Sequence, residues 1–445
     1  MPDSDAPTAP SPPRTRHYTR NGVLLVAGVL AIAFNLRAAI TSLPPLFPEL
    51  STRLQLSPAA VSALAALPVL AFGVFSGVAA PLSRRFGEER VLGGAVGLLA
   101  AGLILRGVAP GVLLFPGTAL AGAAIALLNV LLPSLVKRRV PERAGALIGI
   151  YLLCLNAGSI LASLIAIPVY NLSGGSVPLS LSVWALPALA AGVAWLPQWK
   201  YRTLPHAPGV PEARGSRAGE QRDPRARRRP RKRAGVPPAS LRLSRYALTW
   251  QVTAFMGLQS LTFYAELSWL PTMLRDRGVS AGAAGTLLAL TGVGGAVGSL
   301  LIPVLAHRAP NQRALIAGTV AASAAGLAGA WFAPLGGDVA WVLVLGLGQG
   351  ASLGLAIFFT MARAPDPRVA ASLSGFAQSV GYLVATTGPL VVGFLHSAIG
   401  GWTVPVVVLL VITGLQLAAG WPAARNVTLP APGSVPRAVT RPGAG

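Results

Sequence analysis

Charge is what this chain has least of. Of its 445 residues only 11% are Asp, Glu, Lys or Arg, against about 25% in a soluble globular domain. Carboxylates are the scarcer sign, with 13 Asp and Glu against 36 Lys and Arg, for a net charge of +23. Cysteine occurs once, as Cys154 inside an apolar run, which excludes an intramolecular disulfide and a thiolate metal site. Such a residue reads as a small core hydrophobe rather than a reactive thiol. The four histidines, at 17, 206, 307 and 396, are scattered. No Gly-x-x-x-x-Gly-Lys-Ser/Thr phosphate loop is present, so no ATP-driven pump of that kind is encoded here. No cluster of acids or histidines accompanies a nucleophile. An enzyme is therefore not expected, and neither is a bound cofactor or metal.

What is abundant is apolar length. Hydrophobic residues make up 53% of the chain, with 51 Gly and 39 Pro. Runs of about twenty apolar residues cross a bilayer as helices, where Gly and Pro are tolerated better than in water. Breaks between runs place twelve candidate spans at 22–43, 59–82, 91–108, 112–135, 144–169, 178–197, 246–272, 281–306, 313–333, 339–362, 369–397 and 402–421. The first contains Arg37. Residues 1–21 are Pro-rich and polar and read as a disordered tail. The apolar run after them continues without a cleavage site, so no removable signal is expected.

Position, not amount, decides what the positive charge means. Fourteen of the 36 basic residues lie between Lys200 and Arg245 and most others in short breaks between runs, which does not make the basic face that nucleic acid needs. With the N-terminus placed inside, 31 basic residues fall on cytoplasmic segments and 3 on external loops. The positive-inside rule then sets both termini in the cytoplasm, as in a multi-pass protein of the inner (plasma) membrane. Residues 198–245 form the one long connection, with the run Arg225–Arg233. It reads as a disordered linker drawn to anionic lipid, or as a partner-binding segment. The organisation is thus an N-tail (1–21), six spans (22–197), linker (198–245), six spans (246–421) and a C-tail (422–445).

The halves carry a weak repeat, as expected for a duplicated six-helix unit. Pro141–Gly149 lines up with Pro367–Gly375, and Pro81–Arg90 with Val304–Arg313, at nearly one offset. The fold class is an all-α membrane protein of twelve transmembrane helices in two pseudo-symmetric six-helix bundles.

Twelve spans, a long central loop and a short basic loop between spans 2 and 3 resemble the major facilitator superfamily. Of that family's loop motif the chain keeps Leu82, Arg85, Phe86 and Gly87, but Arg84 stands for the Asp and Glu88 and Glu89 for the basic pair. More narrowly, Asn35–Ser42, Leu67–Gly73, Gly257–Tyr264 with Trp269–Pro271, and Gly375–Tyr382 resemble the cyanate and 2-nitroimidazole transporter group. The resemblance implies alternating access by two rocking halves, with spans 3, 6, 9 and 12 on the outside. It points to a small-molecule substrate such as a cyanate-like anion or a small heterocycle.

Polar groups inside spans carry the remaining signal, because each costs free energy in hydrocarbon unless it faces a cavity or a partner. Asn35, Arg37, Asn129, Asn156, Gln259, Tyr264, Glu266, Gln349, Gln378 and Tyr382 all fall in spans 1, 4, 5, 7, 10 and 11. Arg37 is the candidate anion anchor, since its planar fork suits carboxylates and small oxyanions. The alternatives are an arginine held by helix-end carbonyls or one snorkelling to an interface. Asn35, Asn129, Asn156, Gln259, Tyr264, Gln378 and Tyr382 are the further candidate substrate contacts, or else interhelical glue. Glu266 lies two turns after Gln259 on the same face and is a candidate for a coupling proton, or an ion-pair partner. A secondary transporter is expected, acting as a monomer. The rivals are a drug-efflux pump of the same fold and a non-transporting receptor or scaffold.

Overall fold

A computed structural model describes residues 20–200 and 243–430; the expected tails and most of the linker lie outside them. In the first half the spans are α1 (Arg20–Thr41), α3 (Pro58–Phe86), α4 (Glu88–Val108), α5 (Pro110–Arg139) and α6 (Ala144–Leu172), with a short α2 (Phe47–Leu54) between the first two. The sixth span is two pieces, α7 (Val177–Ser182) and α8 (Ala185–Trp195). The second half has α9 (Ala247–Asp276), α10 (Ala281–Arg308), α11 (Arg313–Phe332) and α12 (Asp338–Ala362). Its eleventh span is also split, into α13 (Pro367–Ala385) and α14 (Thr387–Ile399), before α15 (Thr403–Ala423).

Local chemistry fixes the ends. Ser57 Oγ accepts from the Ala60 amide at 3.2 Å, and Ser280 Oγ from Ala283 at 3.4 Å, each satisfying a donor that a first helical turn leaves free. Pro58 and Pro110 open their helices, where a missing N–H costs nothing. The two split spans are departures from the continuous helices expected at 178–197 and 369–397. Each break falls just before a proline, Pro187 and Pro389, whose ring clashes with the carbonyl four residues earlier.

Among the described residues, eleven helices are long and apolar enough to cross a membrane. The exception, α9, spans 30 residues but carries Gln251, Gln259, Glu266 and a run of Ser and Thr. It packs among the spans of its half.

The halves repeat one packing scheme. In the first, α1 packs on α6 and α8, and α5 on α3 and α4; in the second, α9 packs on α13 and α15, and α12 on α10 and α11. Between halves, α6 meets α10, and α3 meets α13 and α14. The face carrying the chain ends of the bundle, here the terminal face, is braced in each half by one clasp. Glu88 pairs with Arg138 at 2.8 Å and Glu89 with Arg139. In the second half Arg363 donates to Gln312 and, at 2.9 Å, to the Ala423 carbonyl. The partners of the sign-swapped loop are thus the end of α5.

The opposite, far face is closed across the halves. Arg275 at the end of α9 pairs with Glu49 of α2 at 2.7 Å, and Phe47 meets Trp269 with ring centroids 6.0 Å apart. Nearby, Gly393 of α14 lies so close to Ser62 of α3 that a Cβ there would overlap its hydroxyl. Small residues allow this backbone approach.

Candidate functional site

Inside the closed far face lies a cavity of about 200 Å³. It is lined from α1 by Arg37, from α6 by Leu155 and Asn156, and from α9 by Phe263 and Glu266, with α10 and α12 closing the other side. Lining residues reach Pro303 and Ile357 in the terminal-face ends of α10 and α12. No lining residue comes from α4, α8, α11 or α15, the spans expected to lie outermost. The wall made by α10 and α12 is thin because their backbones touch: a Cβ on Gly346 or Gly350 would overlap the carbonyl of Thr291 or Gly295.

Arg37 reaches this cavity from the last turns of α1 and is half-buried. Its guanidinium lies over the Phe263 ring, 5.1 Å from the centroid, a cation–π contact between the halves. Tyr151, Tyr264 and Tyr382 are within electrostatic reach of it. Phe72 stands 5.8 Å from Tyr382 and 6.3 Å from Tyr264, so rings from α3, α9 and α13 form one cluster beside it. None of the described residues gives the Arg37 guanidinium an acidic partner or a hydrogen bond. A mid-membrane guanidinium costs about 2.5–3.5 kcal/mol on insertion scales, and here its fork faces a cavity.

Arg106, the other arginine in the first six spans' interior, is by contrast engaged by its neighbours. Fully buried in α4, it donates to the Ala39 carbonyl at 2.8 Å and to Ser42 Oγ at 3.2 Å. It satisfies the carbonyl end of α1, two residues past Arg37. The helix-end role weighed for Arg37 belongs to Arg106.

The second half answers with amides and a carboxyl. Gln349 of α12 donates to Glu266 Oε2 at 2.8 Å and to Thr262 Oγ1 at 3.2 Å. Gln259 donates in turn to Gln349 Oε1 at 3.4 Å. Both hydrogens of the Gln349 amide are thereby used and its orientation is fixed. Glu266 is 7% exposed and its Oε1 is buried without a partner. No basic side chain among the described residues pairs with it.

Of the residues singled out in the sequence, Arg37, Asn156 and Glu266 line the cavity, as does Gln349. Tyr264 and Tyr382 lie outside its lining, in a ring cluster within electrostatic reach of Arg37, and Gln259 sits behind Glu266 in the amide network. The structure does not bring in the rest. Asn35 is buried against α8, donating to the Pro187 carbonyl at 3.0 Å. Asn129 is exposed and accepts from the Tyr151 hydroxyl at 3.3 Å. Gln378 donates to Ser374 on its own helix at 2.8 Å. Sequence reasoning missed Phe263, Tyr151 and Phe72, whose rings look like ordinary core residues in a row of letters. It also passed over α10, although the spacing of Gly346, Gly350 and Gly354 in α12 announces a close helix contact.

The chain matches relatives over nearly their full length. The chain is 37% identical to the 2-nitroimidazole transporter of Escherichia coli (strain K12), across 92% of this chain and 97% of that one. It is 35% identical to the uncharacterized transporter YycB of Bacillus subtilis (strain 168), covering 90% and 94%. To the cyanate transport protein CynX of Escherichia coli (strain K12) it is 28% identical, covering 84% and 90%. The fold is that of a bacterial homologue of the human lysosomal transporter Spinster, crystallised inward-facing and unoccupied, with a TM-score of 0.71 at 17% identity over 93% of this chain and 98% of that one. The D-xylose–proton symporter gives a TM-score of 0.68 at 14% identity, covering 92% and 99%. The Major Facilitator Superfamily profile matches residues 29–389. With two six-helix halves, a cavity between them and this ancestry, the chain belongs to the major facilitator superfamily and is a multi-pass membrane transporter rather than an enzyme.

Proposed function

We propose that the protein carries a small polar or anionic solute, a cyanate-like anion or a small nitro- or carboxylate-bearing heterocycle, by alternating access. The observation that supports this most is the unpaired Arg37 guanidinium facing the cavity between the halves. Its fork takes two oxygens of a nitro or carboxylate group, or the end of a linear anion such as cyanate, and the Phe263 ring against it suits a flat solute. Asn156 adds an amide from the same half. Glu266 faces the cavity from the other half and serves as the proton carrier, because a carboxyl held by one amide and otherwise unpartnered can gain or lose a proton without breaking an ion pair. The relatives that carry cyanate and 2-nitroimidazole are in keeping with this solute class.

In this reading the terminal face is cytoplasmic, as the basic residues of the loops between spans dictate, and the far face is external. The protein then acts as a monomer in the plasma membrane, with the basic linker against anionic lipid. The Glu49–Arg275 pair holds the external side shut while the cavity exchanges with the cytoplasm. A largely leucine-lined wall (Leu152, Leu267, Leu353) is the observation that favours the rival, efflux of an apolar drug. Proteoliposomes offered labelled cyanate, 2-nitroimidazole and small carboxylates under an imposed proton gradient separate the two. Accumulation of a polar solute that is lost in R37A supports the proposal. Export of a hydrophobic dye that persists in R37A supports the rival.

A further inference from the structure

Two opposite charges border the central cavity and do not meet. Arg37 enters it from α1 and Glu266 from α9, yet no basic side chain among the described residues pairs with that carboxyl. Glu266 is 7% exposed, with Oε2 held by Gln349 at 2.8 Å and Oε1 without a partner. A carboxylate has about four acceptor sites, and Gln349 uses one. Three further polar groups of the lining are occupied within their own helices. Asn156 donates to the Leu152 carbonyl at 2.9 Å, Thr291 to Leu288 at 2.6 Å and Ser299 to Ala296 at 3.0 Å. The two charged groups of the lining are thus a cation with unused hydrogens and a carboxyl with unused lone pairs.

Their spacing follows from α9. The Arg37 guanidinium lies 5.1 Å from the centre of the Phe263 ring. Glu266 stands three residues further along the same helix, hence on the same face, with Cβ atoms about 5–6 Å apart. The two charges are therefore set apart by about one turn of helix, the scale of a single ring with its polar substituents. The volume agrees, since about 200 Å³ falls below the roughly 300–1,000 Å³ of pockets for drug-sized ligands. Gly292 and Gly295 of α10 and Gly346 and Gly350 of α12 line the cavity with backbone alone, which leaves room for a flat ring.

We propose that Glu266 is a second recognition point, accepting an N–H or O–H of the solute while Arg37 holds an acidic group at its other end. This rests on the reading of Arg37 as the anion anchor. The preferred substrates are then flat rings with a carboxylate or nitro group on one side and a hydrogen-bond donor on the other. The contact is a hydrogen bond, and the solute keeps its proton. It gives a buried carboxyl the partner that the protein withholds, and it joins the N-terminal half to the C-terminal half through the solute. A protonated Glu266 has one acceptor site fewer, so the solute's donor and the coupling proton occupy the carboxyl in turn.

The test is calorimetric binding to the purified full chain, which needs neither a gradient nor turnover. Imidazole-4-carboxylate is compared with oxazole-4-carboxylate, in which an oxygen replaces the ring N–H and the carboxylate is kept. The measurement is made at pH 8, above the ordinary imidazole pKa of about 6.5. In the wild type the imidazole should bind about 10- to 150-fold tighter, the worth of one hydrogen bond to a charged group. In E266L, which keeps the bulk but offers no acceptor, that ratio should fall to about one. Should E266L fail to fold, E266Q decides: its neutral amide is the weaker acceptor, and the ratio should fall at least threefold. Equal affinities in the wild type, or a ratio unchanged in the variants, overturn the second recognition point. If both acids then still bind and weaken in R37A, the anion anchor stands without it. If neither acid binds the wild type, anchor and second point fall together.

Discussion

The two halves of this molecule share a scaffold and differ at its centre. Glu89 and Gln312 stand 223 residues apart and perform one task, receiving an arginine from the end of the tenth or fourth span, Arg363 or Arg139. The clasp survives a change from ion pair to neutral amide because geometry, not sign, holds it. Arg37 and Phe263 stand 226 residues apart, the separation of Pro141 and Pro367, yet one is a cation and the other the ring beneath it. The N-terminal half thus presents a bare positive charge to the cavity, and the C-terminal half presents amides and a carboxyl. Duplication conserved what braces the helices. At mid-membrane the two walls are unlike.

The largest expected effect comes from removing the N-terminal wall's charge. R37A should raise the solute concentration needed for half-maximal uptake by about 10- to 150-fold, the loss of one charge-assisted hydrogen bond worth about 1.5–3 kcal/mol. R37K should recover part of this, because it restores the charge but not the fork. Equal loss in both variants would mean that geometry alone carries recognition. The counterpart on the C-terminal wall is E266Q, which keeps shape and hydrogen bonding but cannot ionise. Accumulation driven by a proton gradient should fall to the equilibrium distribution in proteoliposomes. Wild-type accumulation in E266Q would return both tasks to the N-terminal half and break the comparison.

Smaller effects sharpen it. Q349L leaves Glu266 Oε2 without its partner, while Gln259 keeps its bond to the main-chain carbonyl of Gln349, a cost of about 1–3 kcal/mol. It should lower the thermal midpoint of the purified protein, while N156L, whose amide bonds only its own helix at 2.9 Å, should not. The smallest effect is expected at the far-face latch. E49Q or R275Q removes a partly exposed pair worth about 0.2–1 kcal/mol, a shift of about 1.4- to 5-fold towards far-face opening. Spin labels at Leu172 and Leu335, exposed residues of opposite halves, would report it as a longer inter-label distance. No change in that distance would make the pair a passive contact.

Most of the scaffold was legible from the chain. Apolar length placed all twelve spans within a few residues of their helices, because a bilayer demands about twenty apolar residues whatever their neighbours do. The breaks at Pro187 and Pro389 were also present in the letters, but interior prolines at 68, 116, 168, 271 and 303 leave their helices unbroken. Whether a proline splits a span depends on what its neighbours offer the freed carbonyl. The short α2 was not anticipated, since eight residues between two long spans give little pattern to read.

At the site the division is sharper. Sequence by itself determined that a few polar groups must sit inside the membrane, because hydrocarbon makes each of them costly, and it named Arg37 and Glu266 among them. It could not tell a spent polar group from a free one. Arg37 and Arg106 are both arginines in apolar helices, and Asn35 and Asn156 are both amides in spans that border the centre. Only the tertiary structure decided that Arg106 and Asn35 give their hydrogens to backbone carbonyls of neighbouring helices, while Arg37 and Asn156 face the cavity. The reason is that a hydrogen bond between helices is fixed by rotation and depth, which a one-residue shift in register changes and a hydropathy profile does not record.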